Sequence, residues 1–223
     1  MNKNIFVACD TISISKVKKI IKHTQTKKLK IGYKFGLEFI NSKHGRSFVS
    51  KLKNKIIFLD LKLNDIPNTC ISAVKAIKDL KINYLTIHIS SGLNALKAVK
   101  KVSGKIKIVG VSTLTSLNDK KLKQTGHTKS VKNLVIKQAK LAAKANLDAL
   151  VCSAHEVSYI KSIFKKEIIT PGIRLNTKIN DQKRVVTPKK AFKEGSHWLV
   201  IGRSLTKGNI KNNIKSLIDH LGS

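Results

Sequence analysis

Eight short apolar runs, separated by polar turns and by segments with helical periodicity, constrain this 223-residue chain more than any other feature. The runs are residues 5–10 (IFVACD), 29–36 (LKIGYKFG), 56–59 at the start of a longer stretch, 84–89 (YLTIHI), 106–113 (IKIVGVST), 149–153, 168–173 and 198–201. Between them, Ile14, Val17, Ile20 and Ile21 recur at the three- and four-residue spacing of one helix face, behind the capping residue Ser13. Ile71, Val74, Ile77 and Leu80 repeat the pattern, as do Leu93, Leu96 and Val99; an amphipathic segment covers 45–52 and a helix is expected over 131–145. Strict alternation of strand and helix implies parallel strands with right-handed crossovers. Eight such units in this length close most naturally into a single α/β domain over residues 1–223, a (β/α)8 TIM-type barrel. An open doubly wound sheet is the alternative, but no G-x-G-x-x-G follows the first run.

The third run delivers charge to its own end. Residues 58–69 read FLDLKLNDIPNT, so Asp60 and Lys62, two apart on a strand, share one face while Leu59 and Leu61 share the other. Taken alone, this is a surface ion pair past a core strand. A barrel changes that reading, because its site is assembled at the carboxyl ends of several strands at once. Asp10, Lys34, Asp60, Lys62 and His88 then become neighbours. Acids are rare here, twelve against 45 basic residues, and three of them, Asp10, Asp60 and Asp65, stand at or just past strand ends. Lys34, Asp60, Lys62 and Asp65 together form an alternating array preorganised for a reaction that moves charge. Lys62 between two carboxylates stays protonated, which suits a proton donor and argues against Schiff-base chemistry.

A second polar cluster has the character of a phosphate grip. Gly202 and Arg203 follow the eighth run, and barrels often bind phosphate there. The seventh run exits through Arg174 into a polar loop of about ten residues ending at Arg184, a candidate lid that brings Gln182 to the phosphate. His88 has no second ligand at metal spacing and is read as a packed or hydrogen-bonded histidine. Cys9 and Cys152 are read as core residues, and Trp198 is expected to pack beneath the helices.

The formal net charge of +33 attracts any polyanion, but its composition argues against specific nucleic-acid binding. Only four of the basic residues are arginines, the lysines are spread along the whole chain, and aromatics amount to 5%. Three cysteines without C-x-x-C spacing argue against a disulfide framework or a zinc site and for a reducing compartment. No apolar run approaches the roughly 20 residues that span a bilayer, and the apolar run after Lys3 is too short for a signal peptide. A cytoplasmic protein with no membrane partner is expected.

FLDLKLNDIPNT fits F-x-D-x-K-x-x-D-I-P-x-T, and VACD, KFGLEF, LTSL, TPGIR, DQKRVVTP and VIGR follow in a fixed order around it. In these motifs the chain resembles the orotidine 5′-phosphate decarboxylase family over essentially its whole length. The resemblance implies a homodimer in which Lys34, Asp60 and Lys62 come from one subunit and Asp65 from its partner. It implies that Asp10 and Thr69, the latter also across the interface, hold ribose hydroxyls, that Thr115 contacts the pyrimidine, and that Gln182 and Arg203 hold the phosphate. It implies neither metal nor organic cofactor. Ser204, where many members carry proline, and Leu63 with Asn64 inside the signature depart from the common pattern without removing a charge. Two rivals are a metal-dependent sugar-phosphate enzyme on the same barrel, which shares D-x-K-x-x-D but not the I-P-x-T tail, and a basic nucleic-acid-binding barrel.

Overall fold

Each of the eight apolar runs becomes one strand of a closed parallel barrel in the structure, a computed structural model that describes residues 3–175 and 186–222. The strands are β1 (Asn4–Ala8), β2 (Lys30–Gly36), β3 (Ile56–Leu63), β4 (Tyr84–His88), β5 (Lys107–Val111), β6 (Ala149–Val151), β7 (Glu167–Thr170) and β8 (Trp198–Ile201). Every strand pairs in parallel with its sequence neighbour, and β8 closes on β1 through Asn4 opposite Trp198. Several runs extend one to three residues past their strands. Residues 9–10, 112–113, 152–153 and 171–173 lie past the strand ends and form the barrel mouth; in the last, Pro171 lacks an N–H and Gly172 turns at a φ of +77°.

Helices cover the outside with the faces that the spacing indicated. Ile14–Thr24 buries Val17, Ile20 and Ile21, and its first turn is capped where Ser13 Oγ accepts the Lys16 N–H. Pro67 starts Pro67–Ala76 at a position that needs no donor, and Ile210–Leu221 buries Ile210, Ile214, Leu217 and Leu221. The segment around residue 45 is a short helix, Gly45–Ser50, seated so tightly that a Cβ on Gly45 would lie 1.7 Å from the Phe39 carbonyl oxygen. Only glycine permits that approach.

The barrel interior corrects one expectation. Trp198 does not pack beneath the helices; it lies inside the barrel, stacked on Phe6 with ring centroids 4.0 Å apart and an interplanar angle of 17°. Strand parity is the reason. Gly202 faces the mouth, so Val200 and Trp198, two and four residues back, also point inward. Phe58 and Tyr84 complete an aromatic plug at 4.9 and 5.2 Å from Phe6. Burial of each such ring contributes about 1.5–3 kcal/mol. Below the plug, the Tyr84 hydroxyl donates to Glu167 Oε2 at 2.9 Å and Lys107 pairs with the same carboxylate. Side chains therefore fill the amino-terminal end and leave a hollow at the carboxyl end. Among the described residues, no helix is long and apolar enough to cross a membrane.

Candidate active site

The hollow above the plug is a cavity of about 300 Å³, at the lower end of the range for small-molecule sites. One wall is charged, built from Asp10, Lys34, Asp60 and Lys62, and the other is mostly apolar, with Val111, Val151 and Pro171. Each charged residue is the inward member of its strand or lies two residues past an inward one. Asp10 follows Ala8, Lys34 follows Gly32, and Asp60 follows Phe58.

Asp60 is the hub. Its side chain is nearly buried, and Oδ2 lies 2.9 Å from Lys62 Nζ and 3.4 Å from Lys34 Nζ. Oδ1 accepts a hydrogen bond from the Thr86 hydroxyl at 3.1 Å. Lys34 Nζ also reaches Asp10 Oδ1 at 3.2 Å, so the run of charges reads Asp10, Lys34, Asp60, Lys62. Burial pushes the Asp60 carboxyl up, but Lys34 and Lys62 outweigh it and hold the group below the ordinary carboxylate value. Burial likewise lowers Lys34, and Asp60 with Asp10 outweighs it, so that ammonium stays charged beyond its ordinary range. Asp60 and Lys34 are thus both held in their charged forms, and the array is already paired, with little left to reorganise when charge develops beside it.

The sign of the Asp60 shift gives a pH test. A carboxyl whose folded value is depressed adds stability above its unfolded value of 3.8, and that stability is lost as pH falls through the lower folded value. Asp60→Asn removes the charge at every pH. Denaturation in urea is expected to find the variant less stable than the parent at pH 7, and the gap is expected to close as pH falls below about 4. A gap of constant size across that window would contradict the ion-pair account.

Asp65 does not join the array of its own chain. Its Oδ1 accepts the neighbouring Ile66 N–H at 2.7 Å, and it lies outside the cavity lining. Asp10, expected beside Lys34 at the mouth but not as a member of the array, occupies the fourth place instead. Thr69 is exposed in the first turn of Pro67–Ala76. Thr115 lines the cavity and also a second chamber of about 570 Å³ beside it, where Arg174 stands. Gly202 lines the mouth, and a Cβ there would lie 3.7 Å from Ala8 Cβ and 3.9 Å from Asp10 Oδ2. Arg203 follows it, exposed, at the start of Arg203–Thr206. Gln182 and Arg184 lie outside the described residues.

His88 is the last residue of β4, half-buried, and burial together with Lys62 pushes its imidazole down toward the neutral form. The three cysteines are free and buried. Burial raises the Cys9 thiol to about 12 and pushes Cys152 up as well, so neither is a thiolate nucleophile at neutral pH. The residue that sequence reasoning missed is Thr86, wholly buried, which touches both Asp60 and Lys62. Its signal is the one aliphatic hydroxyl in YLTIHI, two residues before His88 on the same strand face.

The likeness to known proteins covers the whole barrel. An orotidine 5′-phosphate decarboxylase from Wolbachia pipientis subsp. Culex pipiens is 47% identical over 182 residues, 79% of this chain and 80% of that one. One from Wolbachia sp. subsp. Brugia malayi is 42% identical over 221 residues, 96% of each chain. The crystal structure of orotidine 5′-phosphate decarboxylase from Lactobacillus acidophilus superimposes with a TM-score of 0.84 at 28% identity, covering 100% of both chains. The profile of a family described as "Orotidine 5′-phosphate decarboxylase / HUMPS family" matches residues 3–213, a span that holds every strand and all the charged residues of the cavity. By sequence and by fold, the chain belongs to the orotidine 5′-phosphate decarboxylase / HUMPS family.

Proposed function

We propose that this protein is a carbon–carbon lyase that converts orotidine 5′-phosphate to uridine 5′-phosphate and carbon dioxide, in the cytoplasm, as one barrel domain without a metal or organic cofactor. The observation that carries the reading is the ion-paired run Lys34–Asp60–Lys62 at the edge of a cavity with an apolar far wall. The names of the relatives at 42–47% identity support the substrate.

In this reading the phosphate docks at Arg203 and Gln182, with Arg174 and Gly202 at the rim, and that remote binding energy holds the reacting ring against the array. Asp10 and Lys34 meet the ribose, and Thr115 the pyrimidine. The substrate carboxylate sits against Asp60, whose like charge opposes it. The bond from ring carbon six to the carboxylate breaks, carbon dioxide leaves, and the electron pair stays on the ring carbon. The Lys62 ammonium stabilises that charge and gives it a proton, then regains one from water. Asp60, 2.9 Å away, is the ion-pair partner of Lys62 up to that moment.

The site is completed by a second copy of the chain, which contributes Asp65 and Thr69. Two observations support this. Asp65 accepts the Ile66 N–H and lies outside its own chain's cavity lining, and the exposed large hydrophobic residues among the described residues, Ile12, Leu37, Ile66 and Leu114, all follow the carboxyl ends of strands. Apolar side chains gathered around one rim suit a partner surface.

The test is consumption of orotidylate, followed by the loss of its absorbance, with and without excess chelator. Equal turnover in both is expected. Absence of turnover would remove the reading, and turnover that stops on chelation would move the protein to the metal-dependent branch of the barrel.

A further inference from the structure

β3 carries two more residues than β4 across the centre of the site. Leu59 stands opposite Leu85 and Leu63 opposite Ile87, so four steps along β3 are matched by two along β4. Such an irregularity bends a strand and re-aims its side chains. The slack falls at Lys62, whose φ is +50°, in the left-handed region that a non-glycine residue occupies only when its surroundings hold it there. Asp60 and Lys62 do face the same way, but through this bulge and not through a regular pleat.

What meets the bulge is the side chain of Thr86, the β4 residue between Leu85 and Ile87. The Lys62 N–H donates to Thr86 Oγ1 at 2.7 Å. A hydroxyl has one proton, and with Oγ1 accepting from Lys62 that proton is free to go to Asp60 Oδ1, 3.1 Å away. Asp60 is thereby divided, Oδ1 for Thr86 and Oδ2 for the two ammonium groups. One wholly buried hydroxyl ties the backbone of Lys62 to the carboxylate that its own side chain pairs with.

We infer that Thr86 is a positioning residue for the reaction: its hydroxyl holds Lys62 in the left-handed conformation and fixes the plane of the Asp60 carboxylate, which together aim the Lys62 ammonium into the cavity. The kinetic part of this inference rests on the decarboxylase reading, and the structural part does not. Thr86→Val keeps the shape and removes both hydrogen bonds, and Thr86→Ser keeps the hydroxyl and removes a methyl group.

Two readouts test it on the full-length protein. In the first, kcat of Thr86→Val on orotidylate is expected to fall about 100-fold, the scale of a small misplacement of a reacting group, with KM within about threefold of the parent. Thr86→Ser is expected to recover most of the loss. In the second, hydrogen exchange of the Lys62 amide is expected to quicken at least about tenfold in Thr86→Val, because its acceptor is gone. Should Thr86→Val fail to fold, Thr86→Ala takes its place in both. The inference is overturned if the hydroxyl-free variant keeps kcat within about threefold, if Thr86→Ser is as impaired as Thr86→Val, or if the Lys62 amide exchanges as in the parent. A parent that turned over no orotidylate would defeat the decarboxylase reading alone, and the exchange measurement would still decide the role of Thr86.

Discussion

Lys62→Ala is expected to lower kcat on orotidylate by at least about 10⁴-fold while leaving the protein folded, since in the proposed reaction Lys62 is both the general acid and the positive charge nearest the developing carbanion. The two effects are separate in kind. A positioned acid contributes roughly 10²–10⁴-fold, and a preorganised charge beside a transition-state anion adds a further factor of roughly 10²–10³. Loss of the fold is not expected. The Lys62 side chain is about one-third exposed (35%), and without it Asp60 keeps Lys34 at 3.4 Å and the Thr86 hydroxyl at 3.1 Å. Thermal unfolding should therefore shift by only a few degrees. Stopped assays at high enzyme concentration, with a melting curve beside them, check both halves. A variant that turned over at the parent rate would remove Lys62 from the chemistry, and one that was unfolded would leave Lys62→Gln as the comparison.

The second large effect tests the proposed second copy at the site. Asp65→Ala and Lys62→Ala are each expected to be nearly inactive alone, yet a mixture that exchanges subunits should recover about a quarter of the parent activity, because half the dimers are hybrids and each hybrid has one intact site. The intact site takes Lys62 from the Asp65→Ala chain and Asp65 from the Lys62→Ala chain. Recovery requires that the two residues serve one site from different copies. Within one chain, Asp65 is engaged at Ile66 and lies outside the cavity lining. If Asp65 served its own chain, both hybrid sites would carry at most one good half and mixing would restore nothing.

Much of the barrel was legible because its strands are buried on both faces and so read as unbroken apolar runs, while the helices between them repeat at 3.6 residues. The acids were legible for a different reason. In a chain this rich in lysine, carboxylates at strand ends stand out, and Asp10 and Asp60 do meet Lys34 in the structure. What was less legible depends on the third dimension. A large aromatic at a strand start suits either face of the barrel wall, and only counting back from Gly202 sets Trp198 inside. The β3 bulge leaves no mark in FLDLKLNDIPNT, since extra residues show only against the strand they fail to match. The role of Thr86 is hidden for the same reason: its partners come from that bulge. Within one chain the fourth place in the array belongs to Asp10 and not to Asp65, whose Oδ1 accepts the Ile66 N–H outside the cavity lining.

The central claim is that this barrel decarboxylates orotidylate with its own charged side chains. It is tested most directly by incubating the purified protein with orotidine 5′-phosphate in excess chelator and measuring both products. The account predicts uridine 5′-phosphate and carbon dioxide in equal amounts, at a rate that the chelator does not change. Intact orotidylate after prolonged incubation, or turnover that returns only when a divalent metal is restored, would contradict it.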